Sequence, residues 1–190
     1  MVHGDLKGVC LQSIVTALPN KLSIKANILI DQNGHACLAD FGLLNTISDP
    51  TNFTASSSFM AGGTIRWMSP ELLDPDQFGL EGSRPTKESD CYALGMVIYE
   101  VLSGQAPFAP LRDFIVMQKV IKGECPRRPK GVEGMWFTGS LWRTLNLCWA
   151  TQPESRPSIE AVVVCLEQGL RAWRLPSLQV DEDEDLWCRL

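Results

Sequence analysis

The sequence predicts an α+β domain that is mainly helical. Three observations carry this reading: a hairpin signal in the first forty residues, a long polar loop after it, and one short and four longer helical stretches behind that loop. Ile28-Leu29-Ile30-Asp31 and Ala36-Cys37-Leu38-Ala39 flank Asn33-Gly34, two residues that tolerate the positive φ angles of a tight hairpin turn. Residues 44–63 are rich in Ser, Thr and Gly and are expected to form the loop. Ser69-Pro70-Glu71-Leu72-Leu73 opens a short helix, and residues 74–87, interrupted by Pro75, Gly79, Gly82 and Pro85, read as a second loop. From Glu88 to Leu102 the pattern is helical and apolar on most sides, through Cys91, Tyr92, Leu94, Met96, Val97, Ile98 and Val101. A helix with so little polar face is buried in the centre of its domain. Gly104, just past its end, is a suitable stop. Leu111 to Lys122 follows Pro110 as a second helix, and Leu141 to Ala150 is a third. Ser158 is the expected N-cap of a fourth, with Ile159, Val162, Val163, Leu166 and Leu170 on one face.

Length and composition narrow the function classes. At 190 residues the chain is one domain or part of a larger one, and 45% hydrophobic with 21% charged residues is an ordinary globular balance. Acids outnumber bases 22 to 17, but Asp181 to Asp185 hold five acids in a row, and without them the body is neutral. That balance argues against nucleic acid or an anionic membrane as partner. Residues 173–190 read as an acidic tail. The cysteines, at 10, 37, 91, 125, 148, 165 and 188, form no C-x-x-C pair and read as reduced thiols of a cytoplasmic or nuclear protein. Met1 to Asp5 has neither the basic start nor the apolar core of a signal peptide, and Val9 to Ile24 is too short to span a membrane. Asn52-Phe53-Thr54, a glycosylation sequon, is read as chance without a secretory route.

The chemistry lies in a series of motifs. His3-Gly4-Asp5-Leu6-Lys7 is followed by Asn27, and the hairpin runs into Asp40-Phe41-Gly42. Then come Gly63-Thr64-Ile65-Arg66-Trp67-Met68-Ser69-Pro70-Glu71, Asp90-Cys91-Tyr92-Ala93-Leu94-Gly95, Cys148-Trp149 and Arg156-Pro157. In this order, the motifs resemble the C-terminal lobe of a eukaryotic protein kinase, in the tyrosine-kinase-like group of largely Ser/Thr-specific enzymes. The resemblance covers roughly residues 2–170 and implies a partial kinase domain over 1–172, a helical lobe with a small β-hairpin. It further implies ATP and Mg²⁺ as cofactors and a protein with a Ser or Thr acceptor as substrate; the oligomeric state stays open.

By the resemblance, Asp5 orients the acceptor hydroxyl and takes its proton, and Lys7 places a cation beside the transferring phosphate. Asn27 and Asp40 hold Mg²⁺, a hard cation suited to oxygen ligands. Thr64 sits beside Asp5 and Lys7, a combination that favours Ser or Thr acceptors. Glu71 and Arg156 resemble the family's buried ion pair. Asp90 resembles the aspartate that accepts hydrogen bonds from the backbone near His3 and Gly4. Trp142, Cys148 and Trp149 are expected to be helix core.

The pattern breaks in three places. The chain opens inside the catalytic loop and contains no Gly-x-Gly-x-x-Gly, so the nucleotide-binding N-terminal lobe is expected to be absent and the chain inactive as it stands. The buried helix is then expected to be partly uncovered. Gly4 occupies the place of an arginine that pairs with a phosphorylated loop in many kinases, so Thr54, Ser56, Ser57 and Ser58 are not expected to be an on-switch by that route. Finally, Asn27 lies 22 residues after Asp5, where the family's spacing is five. Joining Gly8 to Ala26 restores that spacing. The intervening Val9 to Lys25 is apolar and in frame, and its codons can begin with GT and end with AG, so it is expected to be retained intron sequence; a tolerated surface insertion is the alternative. For the whole chain the alternatives are a non-catalytic kinase-derived binding module and an unrelated helical interaction domain.

Overall fold

The computed structural model describes residues 28–30, 36–38 and 65–174. Two short strands, β1 (Ile28–Ile30) and β2 (Ala36–Leu38), pair antiparallel, with Ile28 opposite Leu38 and Ile30 opposite Ala36. The expected Asn33-Gly34 turn and the loop 44–63 lie outside the described residues.

The helical body runs through α1 (Pro70–Leu73), α2 (Lys87–Ser103), α3 (Asp113–Ile121), α4 (Gly139–Cys148) and α5 (Ile159–Arg174). Its axis is α2, and local chemistry fixes both ends of that helix. At the start Thr86 and Ser89 form a reciprocal capping box: Ser89 N–H donates to Thr86 Oγ1 at 3.1 Å, and Thr86 N–H to Ser89 Oγ at 2.8 Å. At the end Gly104 adopts φ 69°, the left-handed conformation a glycine enters without a Cβ clash. Between them Cys91, Tyr92, Leu94, Met96, Ile98 and Val101 are buried. Val97 and Tyr99 are half-buried, and no large apolar residue of α2 is fully exposed. The exposed large hydrophobics of the described residues, Leu80, Phe114, Ile115, Met135, Leu147 and Val164, lie elsewhere.

α2 meets α4 at Gly95, where an added Cβ would stand 2.7 Å from Trp149 Nε1 and 2.9 Å from Cys148 Cβ. The two helices close on that missing side chain. Around the contact Tyr99, Phe137, Trp142 and Trp149 form a chain of tilted and edge-on rings, with centroids 5.6–6.0 Å apart. Such ring pairs add about 0.5–1.5 kcal/mol each beyond the area they bury. Trp142, Cys148 and Trp149 therefore serve packing. Cys91, Cys125, Cys148 and Cys165 are free thiols.

Several boundaries differ from the sequence expectation. α3 begins at Asp113 rather than Leu111, because the chain through Phe108 to Leu111 is a turn, with Leu111 N–H donating to Phe108 O at 2.9 Å. α4 spans Gly139–Cys148 rather than 141–150: Thr138 caps it by accepting from Leu141 N–H at 3.2 Å. Pro75–Phe78 and Gly131–Trp136 form 3₁₀ turns in stretches expected to be loop or left unassigned. Ser158 accepts from Ala161 N–H at 3.2 Å at the start of α5, whose Val162 and Leu166 are buried.

Candidate functional site

A buried ion pair is built from two residues 85 positions apart. Glu71 lies in the first turn of α1, after Pro70, and Arg156 sits in extended backbone between the 3₁₀ turn Pro153–Ser155 and α5. Both are buried. Arg156 Nη1 and Nη2 donate to Glu71 Oε1 and Oε2, each at 2.7 Å. The rest of the guanidinium is bound by backbone: Nε to Ala150 O at 2.9 Å, Nη1 to Glu88 O at 3.0 Å and Nη2 to Thr151 O at 3.5 Å. All five donors of the fork thus have an acceptor. The guanidinium carbon also lies 5.2 Å from the centroid of the Tyr92 ring. One side chain therefore joins α1, the start of α2, the end of α4 and the entry to α5.

The electrostatics follow from this enclosure. Burial pushes the Glu71 carboxyl up, but the hydrogen bonds and charge of Arg156 outweigh it and hold the group below the usual carboxylate range. Burial pushes the Tyr92 phenol far up, so it stays neutral beside the pair.

A second set of contacts holds the segment just before α1. Ile65–Trp67 forms a 3₁₀ turn with Ile65 buried. Arg66 donates to Pro107 O at 2.9 Å and to Leu111 O, and pairs with Asp113 Oδ1 at 2.8 Å at the start of α3. Trp67 Nε1 donates to Glu100 Oε2 at 3.1 Å on α2. Sequence reasoning missed this clamp. Its only signal was a charged residue between two large apolar ones, and its partners lie more than 30 residues away.

Asp90 is half-buried in the first turn of α2, two residues after Glu88, whose carbonyl receives Arg156. The residues expected to contact Asp90, near His3 and Gly4, lie outside the described residues. So do Asp5, Lys7, Asn27, Asp40 and Thr64, although Thr64 directly precedes the clamped turn. Among the described residues no group of His, Cys, Asp or Glu could hold a metal ion, and no helix is long and apolar enough to cross a membrane.

Comparison with known proteins matches residues 23–166, more than half of the chain, to the family model for protein tyrosine and serine/threonine kinases. The chain belongs to the protein kinases. An unrelated helical interaction domain is thereby set aside. The matched stretch contains Asn27, Asp40, Thr64, Glu71, Asp90 and Arg156, while Asp5 and Lys7 precede it. Among relatives, the chain is 29% identical over 80% of its length to receptor-interacting serine/threonine-protein kinase 3 of Rattus norvegicus. It is 30% identical over 75% to the serine/threonine-protein kinase mos of Patiria pectinifera, and 32% identical over 77% to the serine/threonine-protein kinase PkaA of Streptomyces coelicolor. The chain spans 32%, 38% and 24% of the lengths of these three kinases.

Proposed function

We propose that this chain carries the catalytic-loop and substrate-side half of a protein kinase that transfers phosphate from Mg-ATP to a Ser or Thr of a protein substrate. The observation that carries the reading is the buried Glu71–Arg156 pair, which fastens the segment after Thr64 to the helical body. Phosphoryl transfer needs little covalent chemistry from the protein and depends on holding the acceptor in line, and a rigid substrate-side segment serves that need. Asp5 would orient the acceptor hydroxyl and receive its proton. Lys7 would lie beside the transferred phosphate, and Thr64 would join Asp5 and Lys7 at the acceptor. Asn27 and Asp40 supply an amide and a carboxylate oxygen, a donor set suited to Mg²⁺. Mg-ATP, when bound, would supply the phosphoryl group, and its Mg²⁺ would offset the phosphate charge. Asp90 would brace the backbone before Asp5. The names of the three relatives above, each a serine/threonine-protein kinase, support a hydroxyl acceptor of that class, while two further relatives are named dual specificity protein kinases.

The 190 residues contain no Gly-x-Gly-x-x-Gly phosphate loop, so this polypeptide alone is expected to show no transfer above background. Supplying a kinase N-terminal lobe upstream tests the reading. The completed domain should phosphorylate a general protein acceptor, and acid hydrolysis of the product should release phosphoserine or phosphothreonine. Phosphotyrosine alone would overturn the acceptor class. A folded, completed domain without transfer would favour the non-catalytic binding module.

A further inference from the structure

We propose that an exposed basic strip between α3 and α4 is the docking site for the chain's own acidic run, Asp181 to Asp185. Residues 119–130 carry Lys119, Lys122, Arg127, Arg128 and Lys130 against the single acid Glu124. Glu124 is already paired with Lys119 at 2.5 Å. Lys122, Arg127, Arg128 and Lys130 are exposed, and no carboxylate among the described side chains pairs with them.

The strip is held rigidly. Tyr99 Oη donates to Arg127 O at 3.0 Å, Arg128 donates to Phe137 O, and Pro129 O lies where a Cβ on Gly134 would fall, 2.6 Å away. Its Arg127–Lys130 half therefore lies against the 3₁₀ turn Gly131–Trp136, at the N-terminal end of α4, while Gly123 packs on Thr151 beyond the other end of that helix. A fixed backbone presents its cations without the ordering cost of a mobile loop.

The acidic run can reach it. Arg156, just before α5, binds Ala150 O beyond the C-terminal end of α4. Two turns into α5, Cys165 Sγ lies 3.2 Å from Thr144 Oγ1 and 3.9 Å from Ser140 Oγ. α5 thus runs antiparallel to α4, toward the end where the strip lies. Arg174 is nine residues past Cys165, roughly 13 Å further along the helix. Asp181 follows seven residues later, a reach of up to roughly 25 Å. The chain is neutral apart from this run, so its charge complements a strip whose exposed cations have no carboxylate partner among the described residues.

Zero-length carbodiimide cross-linking of the full chain, at low protein concentration and with peptide mapping, tests the proposal. Lys130 should link to an acid of 181–185 within one chain at about 0.01 M salt, where the screening length is about 30 Å. The link should disappear at about 1 M, where that length is about 3 Å. Lys122→Glu with Arg127→Glu leaves Lys130 as reporter and spares Arg128, which supports Phe137. That variant should lower the Lys130 link about fivefold or more. Adding Glu182→Lys and Glu184→Lys, with Asp181, Asp183 and Asp185 as reporters, should restore it. Links that form only between chains, that persist in the charge-reversed variant, or that are absent from the wild type would each overturn the proposal.

Discussion

Arg156 is the residue on which most of the described structure depends. Removing it leaves a buried carboxylate uncompensated, along with the carbonyls of Glu88, Ala150 and Thr151. Breaking such a pair from one side costs about 3–5 kcal/mol, whereas replacing both partners with apolar residues is often neutral. Arg156→Met should lower the denaturation free energy by that amount, and Glu71→Leu with Arg156→Met should recover much of it; an unchanged denaturation midpoint in the single variant would contradict the role. The pair also sets an acid limit. The Glu71 pKa is depressed in the folded state, so its stabilisation is complete above the ordinary carboxylate pKa and is lost as pH falls through the lowered value. A stability profile from about pH 6 to about pH 3 should fall more steeply in the wild type than in the double variant. Gly95 is the other sensitive position. Alanine there forces a Cβ against Trp149 and Cys148, and Gly95→Ala should cost about 1–3 kcal/mol by thermal unfolding.

At the scale of elements, what the sequence reveals depends on whether the signal is local. α2 is legible because its apolar residues cover most of the helix and Gly104 ends it; α5 is legible because Ser158 precedes an apolar stripe. The start of α4 is not, since Gly139 and Ser140 are poor helix formers and only the Thr138 cap commits them. The 3₁₀ turn Gly131–Trp136 left no periodic trace. In the candidate site, Glu71 and Arg156 are found through the order of motifs rather than any spacing, and the Arg66 clamp was invisible because its partners are Pro107, Leu111 and Asp113. The Thr86–Ser89 box predicts that Thr86→Ala costs about 0.5–2 kcal/mol, read from the melting curve. Residues 9–25 carry a prediction of another kind. If Val9 to Lys25 is retained intron, messenger sequencing should recover transcripts joining Gly8 to Ala26. Transcripts that all keep the 51 nucleotides, with AAA for Lys25, would make it an inserted segment instead.

At the scale of the whole molecule, the helical body is a platform: α2 as axis, α1 fastened through Arg156, α3 fastened through Arg66, and the segment after Thr64 held between them. In the proposed function this platform would orient the acceptor, and Asp5 and Asp40, which precede it, would act with it. The most direct measurement is the initial rate of phosphate transfer from labelled ATP to a protein acceptor, in the domain completed by an N-terminal lobe and with 9–25 removed. Asp5→Asn and Asp40→Ala should each lower that rate at least about 100-fold, the scale at which loss of acceptor positioning or metal binding acts. Helical content and melting temperature should stay near those of the parent domain. Transfer that continues undiminished in both variants would contradict the account.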